Sequence, residues 1–276
     1  MLDQSRVAVL GLGTLGRALA EGLVRSGDVA PERLTGTVRR AEHALALDRE
    51  LPFAVGIDAA AAASAADVLL LCTKPKAILG LVTDLARAGA LDHGPLIVSA
   101  AAGISTASIE AVAPDGARCV RAMPNTPCLI GEGMTVVSRG SHASAADAEL
   151  ARSLFAPLGR VLELDEEHMD AVTGLSGSGP AFVYVILEAF SEGGVMMGLP
   201  RAVATELAAQ TVRGAASLVL ETGKHPAALK DDVLTPAGCT IAGLLVMEDG
   251  GIRSTLARGI QEAARAAAGL GGERKR

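Results

Sequence analysis

Near the start of the chain, Gly11-Leu12-Gly13-Thr14-Leu15-Gly16 follows the apolar run Val7-Ala8-Val9-Leu10 and opens a stretch with Leu15, Ala18, Leu19, Gly22 and Leu23 at helical spacing. Each glycine has its own physical use. Gly11 permits a tight turn, Gly13 lets the backbone approach a pyrophosphate, and Gly16 lets helix and strand pack closely, while the helix start turns free N–H groups toward the phosphates. Three glycines at this spacing also describe an ordinary strand-to-helix turn, so the weight comes from the strand before them and the helix after.

The end of the second apolar run carries the next chemical residues. Arg39 stands 23 residues after Gly16, with Arg40 beside it, where an Asp or Glu would hold a ribose 2′-hydroxyl. Two cations suit a 2′-phosphate instead, so NADPH is the expected cofactor and NADH the alternative. A solvated basic turn, tempered by Glu42, is the competing reading of the same residues. Three further turns end apolar runs with unusual residues: Cys72-Thr73-Lys74-Pro75, Ala100-Ala101-Ala102-Gly103 and Met123-Pro124-Asn125-Thr126-Pro127. Ligands of an open parallel sheet sit at the carboxyl ends of its strands, so these turns and the glycine turn are expected to share one cleft. The prolines flanking Asn125 restrict that loop enough to support a planar ring. Lys74 offers a cation to a phosphate or carboxylate, or is a plain surface lysine.

The second half carries a different signal. Asp231-Asp232-Val233-Leu234-Thr235-Pro236-Ala237-Gly238-Cys239-Thr240 brings a small-residue loop into a helix start, with backbone N–H groups and the Thr235 and Thr240 hydroxyls available to a small carboxylate. A helix cap by Thr235 or Thr240 is the alternative. Upstream, Gly174-Leu175-Ser176-Gly177-Ser178-Gly179-Pro180 reads as a hinge starting a helix, with Pro180 in its first turn.

The elements that must position these residues alternate through the first half. Short apolar runs at 7–10, 34–38, 53–55, 68–72, 96–99, 118–121, 134–137 and 161–164 are separated by helical stretches, including a short one near 59–66 and another near 144–156. That pattern predicts a doubly wound, mostly parallel α/β sheet of the Rossmann type over residues 1–165. From 166 to 276 strand signals cease, and helices are expected near 180–197, 201–221, 226–233, 240–248 and 252–268, an all-α domain. The stretch Pro180 to Val195 is apolar on nearly every helical face, which points to a subunit interface. The tail from Gly269 reads as solvated.

Composition narrows the function classes. Half of the 276 residues are hydrophobic, 20% are charged, the net charge is −6, and the aromatics number four Phe, one Tyr and no Trp. An acidic chain with so few stacking rings gives no footing for nucleic acid. No apolar run approaches the ~18 residues of a membrane span. Cys72, Cys119, Cys128 and Cys239 are scattered, as are the five histidines, so no metal site is expected. The short polar start before Val7 lacks the pattern of a leader peptide, which suggests a cytoplasmic protein.

Across nearly its whole length the chain resembles the pyrroline-5-carboxylate reductase family. The resemblance is carried by the glycine turn, Thr73-Lys74-Pro75, Ala101-Ala102-Gly103, Met123 to Pro127, Asp170 to Pro180, Gly198-Leu199-Pro200-Arg201, and the Asp231 to Ile241 loop. It implies a Rossmann domain followed by a helical dimerisation domain, assembled as a dimer or as a decameric ring of dimers. It implies an active site between one subunit's cofactor domain and the helices of its mate. The implied reaction is hydride transfer from the nicotinamide C4 to the C=N carbon of Δ1-pyrroline-5-carboxylate, giving L-proline. Thr240 matches the threonine placed at the ring nitrogen. Gly238, Cys239 and Thr240 would hold the substrate carboxylate, with Lys74, Asp232 and Thr235 nearby, and Glu166 would border the substrate. Gly11 to Gly16, Arg39, Arg40, Cys72 to Pro75, Ala100 to Ala102 and Asn125 would hold the cofactor.

The chain departs from the family pattern at three places. Ala237 replaces a glycine, which matters if that position needs positive φ. Cys239 adds a thiol beside the expected carboxylate site, and Ala59 stands where many relatives carry a cofactor-contacting Asn. Reduction of another cyclic imine or a β-hydroxy acid, and a non-catalytic NADP-binding protein, are the rival readings. The stretch Pro180 to Leu199 contains no Lys, which disfavours the hydroxy-acid version.

Overall fold

The computed structural model describes residues 2–269; the expected solvated tail lies, from residue 270 onward, outside the described residues. The first half runs β1 (Val7–Leu10), α1 (Thr14–Ser26), β2 (Leu34–Thr37), α2 (Ala41–Glu50), β3 (Ala54–Gly56), α3 (Ala59–Ser64), β4 (Val68–Leu71), α4 (Pro75–Arg87), β5 (Leu96–Ser99) and α5 (Thr106–Glu110). It continues with β6 (Cys119–Met123), β7 (Gly133–Arg139), α6 (Ala145–Phe155) and β8 (Gly159–Glu163). These strands form one eight-stranded sheet in the order β3-β2-β1-β4-β5-β6-β7-β8. All neighbouring pairs are parallel except β6 and β7, so the doubly wound, mostly parallel α/β expectation holds.

Strands buried on both faces need apolar residues at every position, and β1 and β4 have them. Val7, Val9, Val68 and Leu70 join one core layer with Leu19 and Leu23 of α1. Ala8, Leu10, Leu69 and Leu71 face a second layer with Ile78 and Val82 of α4. Each fully buried Leu or Ile contributes roughly 1.5–3 kcal/mol, so these two layers fix which strand ends lie side by side. Strand order reverses between β1 and β4, the point where a crevice opens at the carboxyl ends.

After β8 the chain forms α7 (Met169–Val172), a π-helical turn (Thr173–Gly177), α8 (Gly179–Met196), α9 (Arg201–Thr222), α10 (Pro226–Val233), α11 (Cys239–Asp249) and α12 (Ile252–Ala268). The expected hinge at Gly174 to Pro180 is therefore helical rather than a loop. Its π turn is closed by the Ser178 N–H donating to the Thr173 carbonyl at 2.8 Å, so the small residues serve close packing there. Two compact units divide at Ser178 and Gly179, and, among the described residues, 262–269 group with the first. This differs from a division at residue 166, because Met169 and Val172 pack with Val136 beside Met123 and Met134 of the sheet.

Within the Gly179–Gln261 unit, α8 and α9 pack on each other, yet Ser191 is the only buried residue of α8 and α10 and α11 bury none. Tyr184, Val185 and Phe190 are exposed, and Met196 is 86% exposed. So many exposed apolar side chains on one helix are characteristic of an association face. Among the described residues no helix is long and apolar enough to cross a membrane, and no group of three His, Cys, Asp or Glu residues could hold a metal ion.

Candidate active site

The glycine turn has the geometry its residues imply. Gly11 has φ +109°, and a Cβ there would stand 2.9 Å from Thr73 Cγ2 and 3.0 Å from the Cys72 carbonyl carbon. Gly13 has open space at its Cβ position and caps α1 without a side chain, leaving the first N–H groups of the helix free. Gly11 and Leu12 donate their N–H groups to the Thr37 carbonyl at 3.1 and 3.0 Å, tying the turn to the end of β2. Leu12 is buried in the core, so only its backbone reaches the turn. Thr14 is exposed, Leu15 is half-buried, and Gly16 is buried against Gly11.

The neighbouring turns converge on the same edge. Cys72 donates its N–H to the Leu10 carbonyl and Ala100 to the Leu71 carbonyl, both at 3.0 Å, which places the β1, β4 and β5 exits side by side. Thr73 Oγ1 is buried without a hydrogen-bond partner. Lys74 is exposed at the N-cap of α4, with Pro75 in its first turn. Arg39 and Arg40 are exposed where β2 ends, and Arg40 caps α2. Neither guanidinium forms an ion pair among the described residues, so both charges are free for an anion.

Asn125 is held at both ends of its amide. Its Nδ2 donates to the Ser176 carbonyl at 3.0 Å, and its Oδ1 accepts the Met134 N–H at 2.9 Å. The expected rigid loop is thus fixed by this clasp as well as by Pro124 and Pro127. Glu166 is likewise engaged: Oε1 accepts the Thr106 N–H at 2.9 Å and Arg121 Nη1 at 3.3 Å, and Oε2 accepts the Thr106 hydroxyl at 2.5 Å. Thr106 and Arg121 are the residues that sequence reasoning passed over. A charged residue inside an otherwise buried strand was the available signal, since Arg is almost never fully buried unless paired.

In the helical unit, the Thr235 loop closes with the Gly238 N–H donating to the Thr235 carbonyl at 3.0 Å, and Gly238 caps α11 without a side chain. The N–H groups of Cys239 and Thr240 therefore begin the helix uncapped. Thr240 is half-buried, its hydroxyl without a partner among the described residues, and Cys239 is exposed. Ala237 has φ +57°, and is the non-glycine residue of positive φ among the described residues, so the lost glycine does fall where positive φ is needed. Asp232 is exposed and pairs with Lys224 at 3.3 Å.

These features fit a dinucleotide: a turn where two Cβ atoms are forbidden, an uncapped helix start, and two free arginines at the β2 end. Residues 166–270 match the model of pyrroline-5-carboxylate reductase dimerisation, and residues 6–103 match that of coenzyme F420-dependent NADP oxidoreductase. The chain is 40% identical over 261 residues to pyrroline-5-carboxylate reductase of Corynebacterium melassecola, covering 94% of this chain and 96% of that one. It superposes on the Coxiella burnetii pyrroline-5-carboxylate reductase with a TM-score of 0.90 and 30% identity, covering 98% and 99% of the two chains. It superposes on the NADP-bound Plasmodium falciparum pyrroline carboxylate reductase with a TM-score of 0.87 and 25% identity, over the same shares.

Proposed function

The chain belongs to the pyrroline-5-carboxylate reductase family, and from that premise we propose how its own residues divide the work of the reduction. The reaction is the NADPH-dependent reduction of Δ1-pyrroline-5-carboxylate to L-proline, the last step of proline biosynthesis. NADPH, when bound, supplies the hydride that goes to the C=N carbon of the protonated imine, and the ring nitrogen keeps the proton it already carries.

The sheet edge holds the cofactor. Gly11, Gly13 and Gly16 cradle the pyrophosphate at the start of α1, and Leu12, Thr14 and Leu15 contribute backbone. Arg39 and Arg40 hold the 2′-phosphate, each as a charge-assisted donor. Cys72, Thr73, Pro75, Ala100, Ala101 and Ala102 line the middle of the crevice, with Asn125 fixing the loop at its far end. Lys74 offers an ammonium to an anion, whether cofactor phosphate or substrate carboxylate.

The Thr235 loop holds the imino acid. The uncapped N–H groups of Cys239 and Thr240 receive its carboxylate, Gly238 allows the close approach, and Thr235 and Asp232 shape the approach. Thr240 is the catalytic residue: its hydroxyl oxygen accepts from the protonated ring nitrogen and so favours the protonated imine, the better hydride acceptor. The observation that carries this assignment is the helix start of α11, uncapped and carrying a hydroxyl without a partner.

Self-association accompanies this reading, at least as a dimer, supported by the exposed Tyr184, Val185 and Phe190 of α8. A cytoplasmic location is supported by four free cysteines. The test is NADPH oxidation followed with pyrroline-5-carboxylate and with its six-membered homologue. Turnover with the five-membered imine is expected; faster turnover of the six-membered ring, or none with either, overturns it. Light scattering on the same preparation checks the assembly.

A further inference from the structure

We propose that Glu166 serves the reduction as a positioning residue rather than as a ligand of the imino acid, latching the β5–α5 turn that carries Ala100, Ala101 and Ala102. The proposal rests on the reductase reading and deepens it.

Three donors engage the Glu166 carboxylate, all from its own unit: the Thr106 N–H at 2.9 Å, the Thr106 hydroxyl at 2.5 Å and Arg121 Nη1 at 3.3 Å. Together they orient both oxygens toward Thr106 and Arg121. Arg121 makes loss of that arrangement costly. Its side chain is 6% exposed, its Nε and Nη2 have no hydrogen-bond partner, and its other carboxylate neighbour, Asp170, stands at 4.0 Å. Removing the partner of a buried charge is far more damaging than removing an exposed one. Arg121 therefore holds Glu166 in place.

What Glu166 holds is a turn tied at both ends. The near end is fixed by the Ala100 N–H on the Leu71 carbonyl at 3.0 Å. The far end is Thr106, the first residue of the five-residue α5, a helix too short to be stable by itself and capped by the Ser105 side chain on the Ser108 N–H. Gly103, at φ +73°, and the buried Ala101 lie between these anchors. Arg121 pairs in register with Ser99, the last residue of β5, so the latch runs from β6 back to the turn that β5 enters. If the nicotinamide end of the cofactor rests on this turn, Glu166 sets its placement, and hydride transfer depends steeply on placement.

The test separates placement from binding. Thr106→Val removes the hydroxyl and keeps the shape and the N–H; Thr106→Ser restores the hydroxyl. With Thr106→Val the single-turnover rate of hydride transfer is expected to fall about ten-fold and the isotope effect from C4-deuterated NADPH to rise. The KM for pyrroline-5-carboxylate and the Kd for NADPH stay within about two-fold, Thr106→Ser recovers the rate, and Glu166→Gln moves in the same direction. Should Thr106→Val fail to fold, Glu166→Asp, charged but one methylene too short to reach Thr106, gives the same readout. An unchanged rate and isotope effect in the folded variant overturns the proposal. So does a raised KM with Glu166→Gln while Thr106→Val is silent, because that is the behaviour of a substrate ligand. A wild-type chain that reduces no imine would remove the parent reading instead, so the two failures are distinguishable.

Discussion

Gly16 lies against the carbonyl oxygen of Gly11 so closely that a methyl group on Gly16 would sit within van der Waals overlap of that oxygen, and 3.0 Å from Cys72 Cβ. The contact closes strand, turn and helix into one unit, and it involves the backbone of Gly11, which cannot move aside as a long side chain could. Gly16→Ala is therefore expected to open the turn and cost about 1–3 kcal/mol of stability. NADPH affinity should fall at least ten-fold, because the amides at the start of α1 lose their common aim. Fluorescence titration with NADPH and a thermal melt check both; normal affinity in a folded variant would show that the turn tolerates a Cβ.

At the β2 end the argument is one of charge. Arg39 and Arg40 are exposed and make no ion pair among the described residues, so no internal partner competes for them. A charge-assisted hydrogen bond is worth roughly 1.5–3 kcal/mol, so Arg39→Ala with Arg40→Ala should weaken NADPH about ten- to hundred-fold. NADH, which lacks the 2′-phosphate, should bind as before. Equal losses for both nucleotides would mean that the arginines act on the adenosine or on the fold, and would remove the 2′-phosphate argument.

Those two sites mark where a sequence is legible. Gly11 to Gly16 and the eight strands could be read because each depends on local pattern: a short continuous apolar run, a helical period of 3.6, a glycine at a forced turn. The Glu166, Thr106 and Arg121 cluster could not, since its members stand 45 and 60 residues from Glu166 and meet only through strand order. The stretch Gly174 to Pro180 misled for a related reason. Glycine and serine suggest a hinge by propensity, but close packing against Met123, 2.8 Å from where a Gly177 Cβ would be, favours small residues inside a helix.

Ala237 offers a prediction of the opposite sign to most substitutions. A left-handed backbone costs a residue with a Cβ on the order of 1 kcal/mol, and Ala237 sits at φ +57°. Ala237→Gly should relieve that cost and raise stability by about 0.5–1 kcal/mol, part of the gain being offset by the freer unfolded chain. Ala237→Val, β-branched, should lose more than this and raise the KM for the imino acid by disturbing the Thr235 loop. Differential scanning calorimetry of the two variants measures the order; Ala237→Gly melting below the parent would refute it.

The four thiols should separate by pH. Burial pushes Cys119 and Cys72 up to about 12, and raises Cys128 as well, while Cys239 is exposed. A raised thiol pKa means that the reactive thiolate forms only at higher pH, so the first three stay unreactive between pH 7 and 9 in the folded protein. A maleimide should therefore label one site per chain natively, at Cys239, and four after denaturation. Labelling should abolish imine reduction and leave NADPH binding intact, and a saturating five-membered carboxylate such as proline should slow it. Labelling that removes NADPH binding first would show that a different thiol had reacted.

Thr240 gives the sharpest test of the chemistry, because its hydroxyl is assigned a role only in the step that moves charge. In the ground state the loop amides of Cys239 and Thr240 still hold the carboxylate when the hydroxyl is gone. Thr240→Ala should therefore leave the KM for pyrroline-5-carboxylate within a few-fold and the Kd for NADPH unchanged, while kcat falls about 10²-fold or more, the usual scale of a positioned acid–base group. Thr240→Ser, which keeps the hydroxyl, should recover most of that loss. The deficit of Thr240→Ala should also shrink as pH falls, since bulk acid then protonates the imine without help. A deficit that is flat with pH, or a Thr240→Ser no better than Thr240→Ala, would show that the residue matters through its methyl group and the packing of α11.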